Sequence, residues 1–170
     1  MFLLSLCVSL LVTVLQTQQP SILDAFRQKS EEECVAVDYE FATVISGVNT
    51  TGEGSVEVQG DSYHMSGNGI EIYCDGNTTW LIDDYAKEVF IEAADSQSAG
   101  FLANPVLLLM NLDENVAAYK VEGNKINMEL SEGMTIEIVI KSMRGISAKK
   151  SEAFRPSTRF DSSWIITDLR

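Results

Sequence analysis

The chain holds one histidine, His64, and three cysteines, Cys7, Cys34 and Cys74, which bounds its chemistry. His64 lies in Ser62-Tyr63-His64-Met65, where alternation sets Tyr63 and Met65 against Ser62 and His64. It therefore reads as a solvent-facing strand residue and not as a general base or a ligand. Zinc needs clustered Cys and His, and here they are dispersed. No H-E-x-x-H, G-x-S-x-G, P-loop or G-x-G-x-x-G pattern occurs, nor the D-x-[DN]-x-[DN]-G spacing of a calcium loop. Carboxylates are plentiful, so a glycosidase-like pair is the one enzymatic alternative. Asp83-Asp84 is the densest acidic site away from the helix. In a strand its two side chains point to opposite faces, and in a turn acidic residues serve the backbone. The expectation is a protein without covalent chemistry, cofactor or metal.

Two further signals concern modification and redox state. Asn49-Thr50-Thr51 and Asn77-Thr78-Thr79 match N-x-[ST] beside expected turns, and read as turn chemistry before glycan acceptors. Cys34 shares parity with Asp38 and Glu40, whereas Cys74 shares parity with Ile70 and Ile72. Opposite faces of a sheet cannot be bridged without backbone distortion, which argues against a disulfide. Cys7 is preceded by Leu6 and sits within an apolar run, so it reads as part of that run and not as an acylation site.

The elements that must carry these residues follow from pattern. Residues 1–19 contain no charged side chain, and the apolar run from Phe2 to Leu15 is short for a membrane span, which needs about 20 residues. It suits a signal peptide, although no Lys or Arg precedes it and Gln16-Thr17-Gln18-Gln19 is a poor cleavage site. Residues 20–170 then form one domain, with length enough for one core. The net charge of −13 argues against nucleic acid, whose phosphates need cationic partners, and fits a solvated surface or a basic partner protein.

Ser21 followed by Asp24 forms a capping box, and Ile22, Ala25, Phe26 and Lys29 keep helical spacing up to Ser30. From Cys34 to Ile45 the period changes to two, with Val35, Val37, Tyr39 and Phe41 on one side. A turn is expected from Gly47 to Gly54. Strands follow over 55–59, 62–65, 70–74, 78–82 and 88–91, separated by Gly60-Asp61, Gly67-Asn68-Gly69, Asp75-Gly76 and Asp83-Asp84. Such a meander signals an antiparallel sheet. The stretch from Phe101 to Leu112 is strongly apolar, and Asn104-Pro105 marks a helix start within it. That helix would pack on the sheet or form a lid. Strands resume over 118–121, 125–130 and 135–141, and Trp164 to Arg170 offers a last edge strand. Alternation held through the meander would project Tyr39, Phe41, Tyr63, Ile72, Trp80 and Ile82 to one side. A plain hydrophobic core and a ligand cavity look alike in such a pattern.

A resemblance narrows the choice. Gly54 to Tyr63 reads G-x-x-x-x-x-G-D-x-Y, Asp75-Gly-Asn-Thr-Thr-Trp80 reads D-G-x-T-x-W, and Glu88-Val-Phe-Ile91 reads E-V-x-I. Asn104-Pro105 opens an N-P-x-x-L-L run, and the end runs from Phe154 through Phe160-Asp161 to Asp168-Leu-Arg170. In this order the motifs resemble the LolA-like outer-membrane lipoprotein carriers, in the version found in Bacteroidetes-type bacteria. The resemblance covers most of the chain after residue 20. It implies an α+β, mainly antiparallel fold, a curved incomplete β-barrel like that of LolA and LolB with helices covering the concave face. It also implies a periplasmic monomer that takes lipoproteins or other acylated cargo from an inner-membrane donor complex to an outer-membrane acceptor. The expected lining is Val37, Tyr39, Phe41, Tyr63, Met65, Ile72, Trp80, Ile82, Leu107, Leu108, Leu112 and Ile138. Two departures stand out. No arginine occupies the Val58-Gln59-Gly60-Asp61 neighbourhood, so the family's gating arginine is not carried over. Only Ser131-Glu-Gly133 separates Leu130 from Met134, where the family has another strand pair. The alternative is a periplasmic lipid-sensing or protein-interaction module on the same fold.

Overall fold

The computed structural model describes residues 20–94, 108–110, 112, 116–130, 133–157 and 160–170. The expected signal peptide, the Asn104-Pro105 helix start and Leu107 lie outside them.

Helix α1 (Ile22–Glu32) begins as its capping box dictates. The Asp24 backbone N–H donates to Ser21 Oγ at 3.2 Å, and the Ser21 N–H donates to Asp24 Oδ2 at 3.2 Å. Two of the unsatisfied N–H groups at the helix entrance are thereby paired. Leu23 and Phe26 form its buried stripe.

Ten strands among the described residues form one sheet. They are β1 (Cys34–Ile45), β2 (Val48–Gln59), β3 (Ser62–Gly67), β4 (Ile70–Asp75), β5 (Thr78–Asp83), β6 (Glu88–Ala93), β7 (Ala118–Glu122), β8 (Lys125–Glu129), β9 (Thr135–Ile146) and β10 (Ile165–Asp168). Their spatial order is β10-β6-β5-β4-β3-β2-β1-β9-β8-β7, so the sheet does not close. All pairings are antiparallel except that of β10, which lies parallel to β6. Hairpins place neighbours in sequence side by side, and two pairings, β1 with β9 and β6 with β10, join distant segments.

The expected Gly47–Gly54 turn is far tighter in the structure. Ile45 pairs with Val48, so only Ser46 and Gly47 turn, both with positive φ (50° and 81°) as a two-residue hairpin requires. Gly52 and Gly54 are instead strand residues. They face Phe41 and Tyr39 across the ladder, and their missing side chains leave room for the two rings. Asp75 and Asp83 end β4 and β5, and their side chains serve the turns that follow, as their type suggests. Asp75 Oδ1 accepts from the N–H groups of Asn77 and Thr78, and Asp83 Oδ1 accepts from those of Tyr85 and Ala86.

Strand β9 runs on to Ile146, beyond the expected end at Lys141. It pairs with β1 along both halves, but a bulge intervenes: Asp38 faces Ser142 while Tyr39 faces Ile140, leaving Lys141 as the extra residue. The bulge switches parity, so Ile136, Ile138 and Ile140 share a face with Met143.

Candidate functional site

The registers sort the strands into two faces. Val35, Val37, Tyr39 and Phe41 of β1 pair with Val58, Val56, Gly54 and Gly52 of β2. Val56 and Val58 pair with Met65 and Tyr63 of β3, and Met65 pairs with Ile72 of β4. On the other side Tyr39 and Phe41 meet Ile140 and Ile138 of β9, and Ile138 and Ile136 meet Ile126 and Met128 of β8. These residues form one contiguous apolar cluster. Leu23 and Phe26 of α1 and Leu108, Leu109 and Leu112 pack into the same cluster and cover this first face. The two covering pieces are tied together, because Arg27 Nε donates to the Leu109 carbonyl at 3.2 Å.

The composition of this face is unusual in one respect. All five methionines after Met1 belong to it: Met65 and Met128 are buried within the cluster, and Met110, Met134 and Met143 pack against it. Unbranched thioether side chains repack at low cost, so the face can change shape.

Nine of the expected lining residues converge here: Val37, Tyr39, Phe41, Tyr63, Met65, Ile72, Leu108, Leu112 and Ile138. Tyr63 is only partly buried within the cluster's rim, and burial, its largest influence, drives its phenol pKa far upward. Trp80 and Ile82 do not converge. Trp80 pairs with Tyr73 and Ile82 with Glu71, which places both on the second face. The physical reason is the turns. With two or four residues between the last paired positions, partners sum to an odd number, so parity reverses at every hairpin. Leu81, which pairs with Ile72 and Phe90, occupies the face expected for Trp80. Sequence reasoning also passed over Val56, Val58, Ile126, Met128, Ile136 and Ile140, although alternation in their strands was the signal that could have found them.

The second face carries polar groups and is crossed by residues 147–155. Gln59 grips Lys149 twice, donating from Nε2 to its carbonyl at 3.0 Å and accepting its N–H at 2.8 Å. Lys149 Nζ pairs with Glu57. A 3-10 turn over Ser151–Phe154 packs on β3 and β4 and buries Phe154 completely. Arg155 Nε then donates to Asp75 Oδ2 at 2.6 Å. For Asp75 burial pulls the carboxyl pKa upward, but the Thr78 and Asn77 N–H groups and the Arg155 guanidinium outweigh it and hold the pKa below the usual range.

His64 is on this face, as its alternation requires, yet it does not face open solvent. It stacks on Tyr73 with ring centroids 4.1 Å apart, and its Nε2 is buried without a hydrogen-bond partner. Cys34 and Cys74 are both buried and free; Cys34 belongs to the second face and Cys74, paired with Tyr63, to the first. A hollow of about 560 Å³ also opens on the second face, between Ala42, Asn49, Lys120, Asn127, Glu129 and Glu137. Among the described residues no group of three or more His, Cys, Asp and Glu could hold a metal ion, and no helix is long and apolar enough to cross a membrane.

No family model matches the chain, and no curated protein matches it.

Proposed function

We propose that this protein is a periplasmic, non-enzymatic carrier of LolA-like kind, built as a curved, incomplete β-barrel. Its acyl-chain site is the first face of the sheet, opened by displacement of Leu108, Leu109 and Leu112 from the cover while α1 stays in place. The cargo is a lipoprotein or another acylated molecule, received from an inner-membrane donor and passed to an outer-membrane acceptor. The observation that carries this reading is the gathering of five methionines on one apolar face covered in part by Leu108, Leu109 and Leu112.

The energetics suit a carrier. Burial of an acyl chain is worth about 0.8 kcal/mol per CH₂, so a chain of about 15 methylenes gains about 12 kcal/mol. Displacing three buried leucines costs about 5–9 kcal/mol at about 1.5–3 kcal/mol each. The difference permits firm binding while leaving the cover free to compete for its place and expel the cargo. The experiment is uptake of a fluorescent fatty acid and of a purified lipoprotein by delipidated protein, with native mass spectrometry of the protein as isolated. Saturable uptake with co-purifying lipid is expected. Uptake of neither ligand would refute the carrier reading.

A further inference from the structure

We infer that residues 147–155 form an acid-released strap, held on the second face of the sheet while His64 beneath it is neutral. This inference is independent of what the first face carries.

The geometry begins with the anchors. The strap is fixed to β2 through Gln59 and Glu57, and to β4 through Asp75. His64 lies in β3, between those two strands. Its direct cross-strand neighbours are Glu57 and Tyr73. The imidazole therefore sits on Tyr73 and beside the ion pair by which Lys149 holds the strap. Its ring nitrogen Nε2 has no partner within hydrogen-bond distance, and Glu71 Oε2, which already accepts from the Tyr73 hydroxyl at 2.8 Å, stands 4.0 Å away.

The charged and titratable groups around His64 come from three elements. From β2 there is Glu57, from β4 Glu71, Tyr73 and Asp75, and from the strap Lys149, Glu152 and Arg155. Asp75 and Arg155 are committed to each other. Glu57 is committed to Lys149. A proton on His64 therefore meets a buried site where Glu57 is already paired with Lys149 and Glu71, 4.0 Å away, is shared with the Tyr73 hydroxyl. An imidazolium there is opposed by desolvation and by Lys149, and it competes with Lys149 for Glu57. Lifting the strap resolves all three conflicts, because water then reaches His64 and Lys149 leaves. Burial, the largest influence, lowers the His64 pKa below 6.5, against the pull of Glu71 and Glu57. The sign is then fixed. A histidine whose pKa is depressed when the strap is closed binds its proton more tightly when it is open, so closure is complete above the ordinary histidine pKa and weakens as pH falls through and below it.

The Lys149 amide, which donates to Gln59 Oε1, reports the latch. Amide exchange, corrected for intrinsic pH dependence, is measured by NMR on the full chain at about pH 7.5 and about pH 5, either side of the histidine range. Protection of Lys149 is expected to fall several-fold at the lower pH, while that of Val37 in the central strand holds. In His64→Gln and His64→Phe, neither of which titrates, the drop should vanish. An unchanged Lys149 amide, an equal loss at Val37, or the same drop in a folded variant would each overturn the inference.

Discussion

Gly54→Ala tests whether the two strand glycines exist to admit aromatic rings. A Cβ at residue 54 would lie 2.6 Å from Tyr39 Oη, 2.9 Å from Tyr39 Cζ and 2.8 Å from the Ser66 carbonyl oxygen. All three are closer than packed atoms allow. Tyr39 is 1% exposed and centred in the apolar cluster, so its ring has no solvent to swing into. The Ser66 oxygen belongs to β3 backbone and yields only if the β2–β3 ladder shifts. Overpacking of this kind destabilises by about 1–3 kcal/mol, and the backbone contact places Gly54→Ala toward the upper end. For a domain of this size the melting temperature should fall by about 2–4 °C per kcal/mol. Urea unfolding followed by Trp80 and Trp164 fluorescence measures it. The companion variant is Tyr39→Leu, which removes both ring contacts and leaves only the Ser66 oxygen. In the double variant the two losses should be less than additive, with a coupling of about 1 kcal/mol or more. A Gly54→Ala protein within about 0.5 kcal/mol of the parent, or strict additivity, would refute the reasoning, because surface changes alone stay within that range.

Other contacts carry expected outcomes of their own. Asp75→Ala orphans two backbone N–H groups and the Arg155 guanidinium, and should destabilise by about 1–3 kcal/mol in urea unfolding. Because the Asp75 pKa is depressed by folding, its contribution is present above the ordinary aspartate range and lost as pH falls through the folded value. Asp75→Asn should therefore flatten that part of the acid-unfolding profile. Phe154→Ala empties a fully buried site under the strap and should cost about 3 kcal/mol, read as a lower unfolding midpoint. Cys34 and Cys74 should resist thiol reagents in the native protein and react once it is unfolded; burial, the leading influence on Cys34, also raises its pKa and slows thiolate formation.

Much of the sheet was legible because its signals are local. The Ser21–Asp24 capping box, the alternation of β1 and the Gly-containing turns each depend on residues close together in sequence. They fall where the structure has α1, β1 and most of the hairpins. The reading failed where a distant partner decides. Gly52 and Gly54 look like turn residues until Phe41 and Tyr39 are seen across the ladder. Trp80 looked like a cavity residue because its alternation is correct within β5, but the face of a whole strand depends on the count of residues in the turn before it. Only half of the candidate site question was open to sequence for the same reason: an apolar stripe is visible, and which stripes join is not.

What the amino-acid sequence determined by itself is the material: an acid-rich chain of alternating strands, a capped helix, a leucine-rich stretch, one histidine and three dispersed cysteines. These follow from residue type and short-range period. The tertiary structure alone decided that β1 lies between β2 and β9, that the five methionines meet on one face, and that Lys149 pairs with Glu57, the cross-strand neighbour of His64. Each of those facts joins segments about eighty or more residues apart. Such contacts are selected by the summed burial of many side chains, not by the preference of any one.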